Sequence, residues 1–136
     1  MAGSDFDTGL SPAKTFKYFC RIKGVDTNRA AENLEILGIK DINRVKRSGE
    51  TLKKIYCALW VAKDAATIIF NDFIDRESRD FERKFLDLIE HALEGEKTII
   101  YLSTQIYYFD SPFTGDIKIN KFKKFGIEKP SAITLR

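Results

Sequence analysis

Little in this sequence offers ready chemistry. Among its 136 residues there are one histidine, two cysteines and one tryptophan. A structural zinc site normally draws four ligands from cysteine and histidine, so that scaffold has too few donors. Cys20 and Cys57 each lie inside a helix-like apolar pattern, the setting of buried free thiols in a reducing compartment rather than of a disulfide framework. No phosphate-cradling glycine cluster occurs. Gly24, Gly38, Gly49, Gly95 and Gly115 stand singly at the ends of inferred elements, where they act as punctuation. The longest nearly apolar stretch, residues 58–70, is too short to cross a bilayer and carries Lys63 and Asp64 in its middle. Residues 1–9 hold Asp5 and Asp7 and no apolar run, so they read as a disordered lead-in rather than a secretory signal. These absences predict a cytoplasmic or nuclear protein that uses no membrane, metal or cofactor.

What is present suffices for one packed domain. Hydrophobic residues make up 43% and charged residues 32% of the chain, which excludes the composition of a disordered protein. Ser11 followed by Pro12 is helix-start chemistry, and Phe16, Phe19 and Cys20 recur at helical spacing until Gly24. Asp26 and Thr27 open a second helix with Ala30, Ala31, Leu34 and Leu37 on one face and Gly38 at its end. Asp41 caps a further short segment that Ser48-Gly49 breaks. From Glu50, the positions Leu52, Ile55, Leu59, Ala62, Ala66, Ile69 and Phe73 step by three and four, predicting a long central helix buried on several sides. Phe81, Phe85, Leu88, Ile89 and Ala92 continue that period after a charged stretch. Residues 98–109 are rich in β-branched and aromatic side chains, turn residues follow, and Ile117 and Ile119 then alternate with polar residues, which reads as a hairpin.

The fold expected is α+β: four to five helices around the long central helix, followed by a C-terminal antiparallel β-hairpin. Residues 11–127 form the single domain, with a disordered lead-in over 1–10 and an extended tail over 128–136.

Catalytic readings find no support. His91 lies beside Glu90 and one turn from Asp87, but no nucleophile with motif context accompanies it. Asp72 and Asp75 share a helix face, and with Asp80 and Glu82 they have the donors for magnesium. However, Arg76, Arg79 and Lys84 each follow an aspartate by four residues, the pattern of a solvated salt-bridged face. Tyr56 and Trp60 stand one turn apart and could stack a base, yet on so apolar a helix they read as core. The chain is therefore expected not to be an enzyme.

Charge layout is the informative feature. Residues 12–49 carry nine basic against four acidic side chains, residues 50–96 seven against eleven, and residues 116–136 six against two. Lys14, Lys17, Arg21 and Lys23 have no acidic residue among them, and the first three share a helix face. Arg44, Lys46 and Arg47 form a second cluster. Lys118, Lys121, Lys123 and Lys124 form a third, interleaved with Phe122 and Phe125. Basic stripes of this kind are the footprint of phosphate-backbone binding, to DNA or RNA. A helix-turn-helix is also weighed, since Leu37-Gly38-Ile39 resembles its turn, but the segment bearing Arg44 is short for a recognition helix. In a winged variant, the acidic helix over 77–94 would be repelled by phosphate. The alternative function is a protein-interaction module, whether adaptor, assembly subunit or homo-oligomer, using the acidic helix 75–94 and an exposed edge of the strand carrying Tyr101, Tyr107 and Tyr108.

Overall fold

The computed structural model of the chain describes residues 9–71, 73–74, 77–103, 115–119 and 131–135. Backbone contacts divide the chain into two compact units. One comprises Met1–Asp64 with Arg79–Leu88, and the other Ala65–Ser78 with Ile89–Arg136.

The first unit holds α1 (Pro12–Lys23), α2 (Thr27–Ile36), α3 (Gly49–Ala62) and the first part of α4 (Arg79–Glu94). Each of the first three helices starts at a polar cap that satisfies an orphan backbone N–H: the side chains of Ser11, Asp26 and Ser48 accept from Lys14, Asn28 and Thr51. At the end of α2, Gly38 adopts φ +92°, Ile39 N–H donates to the Leu34 carbonyl and Gly38 N–H to that of Glu35. This left-handed cap favours glycine, whereas the nearest atoms a Cβ would meet belong to the flexible end of Lys84, which can move aside.

The core of this unit is apolar. Phe16, Leu34, Leu37, Ile55, Ala58, Leu59, Phe81 and Phe85 are all buried. One polar strut crosses it: the buried Asn33 amide donates to the Ala58 carbonyl at 3.1 Å, tying α2 to α3. Lys54 is buried to 8% exposure, and its ammonium lies 3.6 Å from Glu50 and 5.7 Å from the Phe81 ring centroid. Both contacts offset the cost of desolvating the cation.

The second unit is built on a four-stranded sheet in the order β1-β2-β4-β3, with β1 (Thr67–Asn71), β2 (Thr98–Ser103), β3 (Gly115–Ile119) and β4 (Ser131–Leu135). β1 pairs parallel with β2, in register from Thr67 opposite Thr98 to Asn71 opposite Leu102. β4 runs antiparallel to both β2 and β3. The entry to the parallel pair is fixed by Thr98 N–H donating to the Ala66 carbonyl at 2.7 Å and by Lys97 Nζ donating to the Ala65 carbonyl at 2.8 Å. At the far end, the fully buried Tyr101 accepts from Ile74 N–H at 2.9 Å, fixing the turn that follows β1.

Several expectations are corrected here. The fold is α+β, but the long central helix ends at Ala62, and the residues beyond it form β1 rather than continuing to Phe73. Ile68 and Phe70 are buried while Ile69 is 60% exposed, so the burial period is two, not three to four. The supposed hairpin is also overturned. β2 pairs parallel with β1, which is possible because the chain crosses over through α4, and β3 pairs with β4 rather than with β2. The short segment after Asp41 is a turn, in which Asp41 caps Asn43 and accepts from Arg44 N–H. Among the described residues there are thus four helices, and the segment bearing Arg44, Lys46 and Arg47 is not one of them.

Two tests follow from this architecture. Tyr101→Phe leaves the buried Ile74 N–H without its acceptor and should lower the unfolding free energy by about 1–3 kcal/mol in urea titration. An unchanged stability would show that the hydroxyl does not hold the turn.

The second test concerns Asp80, which accepts from Arg83 and Lys84 at 2.9 Å each. The hydrogen bond from Lys84, helped by the nearby charges of Lys84, Arg83 and Lys54 and outweighing desolvation, holds the Asp80 carboxyl below its ordinary 3.8. Its stabilisation is complete above the unfolded-state value and is lost as the pH falls through the lower folded one. Asp80→Asn should therefore lower the urea midpoint near neutral pH, with the gap to wild type closing below pH 3.8. A gap independent of pH would contradict the assignment.

Candidate nucleic-acid interface

The face that α1 presents follows from its spacing. Pro12, Thr15, Phe16 and Cys20 are buried, which turns Lys14, Lys17, Tyr18, Arg21 and Ile22 outward, and all five are exposed. Lys14, Lys17 and Arg21 make no ion pair among the described residues and span about 10 Å of helix axis at 1.5 Å per residue. Tyr18 and Ile22 lie in the same stripe at 47% and 54% exposure, so the face is cationic and also carries bare aromatic and aliphatic surface. Lys17 and Arg21 further line an open groove of about 470 Å³, completed by Cys20, Val25 and Thr27. The Asp26 carboxylate, which caps α2, acts electrostatically on Cys20 in this groove and so sets one negative charge against those of Lys17 and Arg21.

Lys23 does not belong to that stripe. At 100° per residue it lies on the opposite side of α1 from Lys14. There its ammonium sits 5.6 Å from the centroid of the Trp60 ring, and Lys63 Nζ approaches the same ring at 5.3 Å. Tyr56, one turn before Trp60, has its ring centroid 5.5 Å away at an interplanar angle of 57°. Neither aromatic is in the core; both are partly exposed. With Lys23, Val25, Leu59 and Lys63 they line a shallow depression whose cavity volume is about 10 Å³, room for no more than a water molecule. A planar group would lie on this surface rather than enter it. An exposed cation–π contact is worth about 0.5–1 kcal/mol, whereas base–aromatic stacking is worth about 1–3 kcal/mol per base, so a base is the stronger competitor for the ring.

The second cluster is looser. Arg44, Lys46 and Arg47 are exposed in the turn between α2 and α3, with Arg44 Nε 3.4 Å from Asp41 and the Lys46 carbonyl accepting from Thr51 Oγ1 at 2.9 Å. Of the third cluster, Lys118 falls in β3 of the sheet unit, while Lys121, Lys123 and Lys124 lie outside the described residues, as do Tyr107 and Tyr108. The sequence reading puts Lys14, Lys17 and Arg21 on one helix face without Lys23, as α1 has them, and it misses Tyr18 and Ile22. Their signal was their failure to fit the period of the buried residues on α1.

Other candidates resolve differently. Asp72, Asp75 and Arg76 lie outside the described residues, and among those described no group of three His, Cys, Asp or Glu is placed to hold a metal ion. His91 is exposed on α4 alongside Asp87, Glu90 and Glu94. β2 is paired on both sides, so it offers no free edge; the outer strands are β1 and β3. Cys20 and Cys57 are free and buried. Burial raises both thiol pKa values, opposed at Cys20 by a hydrogen bond with Thr27 and at Cys57 by the charge of Lys53. Both are thus protonated, inert thiols at neutral pH. Among the described residues no helix is long and apolar enough to cross a membrane. Comparison of the chain with protein-family models, with curated proteins and with solved structures finds no match.

Proposed function

We propose that this chain is a small non-enzymatic nucleic-acid-binding protein of the cytoplasm or nucleus that grips the phosphate backbone through Lys14, Lys17 and Arg21. The observation that carries this reading is the solvent face of α1, where three cations without ion-pair partners among the described residues flank the exposed Tyr18. Phosphates neutralise such a stripe and release counterions, while an aromatic ring gives the strand a surface to lie on. Arg44, Lys46 and Arg47 extend the positive field of the same unit. The two buried thiols suit a reducing compartment.

Fluorescence polarisation with labelled single- and double-stranded DNA and RNA across a salt series tests this. Wild type should bind with an affinity that falls steeply with salt. The variant K14A/K17A/R21A should bind more weakly, with its salt slope reduced by about two to three, from a per-phosphate slope of about 0.7–0.9. Equal affinity and slope in the two proteins would overturn the assignment.

A second reading rests on α4, whose exposed Asp87, Glu90 and Glu94 recur at i, i+3 and i+7 as an acidic stripe. This supports an interaction module whose partner is a basic protein or a second copy of the chain. For self-association, sedimentation velocity at low salt should show a mass that rises with concentration and reverts to monomer at high salt. A monomer under all conditions would sink that form of it.

A further inference from the structure

We infer that Trp60, flanked by Lys23 and Lys63, is a stacking site for one unpaired nucleobase, with the two lysines receiving the phosphates on either side of it. The inference deepens the nucleic-acid reading and rests on it, but it uses none of the residues of the α1 stripe. Two ammonium groups lie within 6 Å of one ring centroid, at 5.6 and 5.3 Å. Each ammonium places positive charge beside the ring, which attracts an anionic group carried next to a base lying there. The ring itself is partly exposed at the mouth of a depression too shallow to enclose anything, with the tilted Tyr56 ring forming a second wall. Such a surface accepts a flat aromatic heterocycle, and its lysines select for one that carries phosphate.

A base inside a duplex has both faces covered by its neighbours, so a single aromatic platform of this kind reads a strand with free bases. The site therefore predicts preference for single-stranded over double-stranded nucleic acid, a distinction that phosphate contacts alone do not make. The bland alternative is that Trp60 merely covers the apolar residues beneath it and collects lysines from solvent. In that case nothing at the ring would respond to a base.

Trp60 is the only tryptophan in the chain, so intrinsic emission reports this site directly. An oligothymidylate of about twelve nucleotides should quench that emission, whereas an abasic strand of equal length and charge should bind without quenching. In polarisation assays Trp60→Ala should weaken oligothymidylate binding about tenfold, with Trp60→Phe retaining most of the affinity. The quenching comparison uses wild-type protein and holds even if Trp60→Ala fails to fold. Strand binding with unchanged emission, or equal quenching by the abasic strand, would overturn the stacking site and leave the α1 reading standing. Failure of both strands to bind at low salt would overturn the two together.

Discussion

The parallel alignment of β1 with β2 is the constraint on which the rest of the chain depends. Strands joined by a tight turn run antiparallel, whereas a parallel pair requires a crossover of a dozen residues or more. Once Thr67 stands opposite Thr98, the chain must return to the starting end before the second strand begins, and α4 lies within that connection. The same alignment ends α3 at Ala62, because the residues after Asp64 are needed in extended form. It also leaves the second side of β2 to be closed by another strand, and β4 closes it in antiparallel register from Ile100 opposite Leu135 to Ser103 opposite Ala132. The bonds from Thr98 to Ala66 and from Ile74 to Tyr101 hold the two ends of this arrangement.

Where structure is local, the sequence was legible. Ser11 and Asp26 start helices through their own side chains, and Gly24 and Gly38 end them in left-handed conformations, all within a few residues of chain; Ser48, read only as a break, also caps α3. Where structure depends on distant partners, the pattern misled. Ala66, Ile69 and Phe73 continue the helical period of α3 by coincidence, while the competing alternation of Ile68 and Phe70 was present but short. An apolar run of five or six residues does not distinguish strand from helix by periodicity, and the β-branched Thr67, Ile68 and Ile69 were the better guide. Nothing local marks the residues after Pro130 as the strand lying between β2 and β3, since that pairing lies in the register with partners far along the chain.

The candidate site divides along the same line. The i, i+3, i+7 spacing of Lys14, Lys17 and Arg21 fixes a shared face on any helix, so their exposure together needed only α1 to be a helix. Lys23 was counted among the basic residues of α1 but not on their shared face, and helical geometry does turn it away by half a revolution. Trp60 was misplaced. On an apolar helix, hydrophobicity alone assigns it to the core, but Tyr56, Trp60 and Lys63 form a face at i, i+4 and i+7 that is distinct from the one carrying Ile55, Ala58, Leu59 and Ala62. The covering residue on that face comes from α1, which no spacing within α3 reveals.

A cationic stripe on α1 costs this fold little. Like charges three and four apart on a helix destabilise it by about 0.2–0.5 kcal/mol per pair, and α1 contains two such pairs in Lys14–Lys17 and Lys17–Arg21. Against that stand the Ser11 cap, worth about 1 kcal/mol, and the placement of Arg21 and Lys23 in the last turn, where the helix dipole favours positive charge. The buried side of α1, with Phe16 and Cys20, is untouched by whatever the outer side carries. The outer side is therefore free to be shaped by a ligand rather than by stability. Because the helix is held from beneath, its three cations keep their spacing in the free protein, so the proposed contact with an anionic strand would order only the lysine and arginine side chains, not the backbone. The Trp60 site differs in this respect. Its lysines already lie near the ring, so a base stacking there as proposed would displace at least one of them, and the proposed preference for free bases would rest on that exchange.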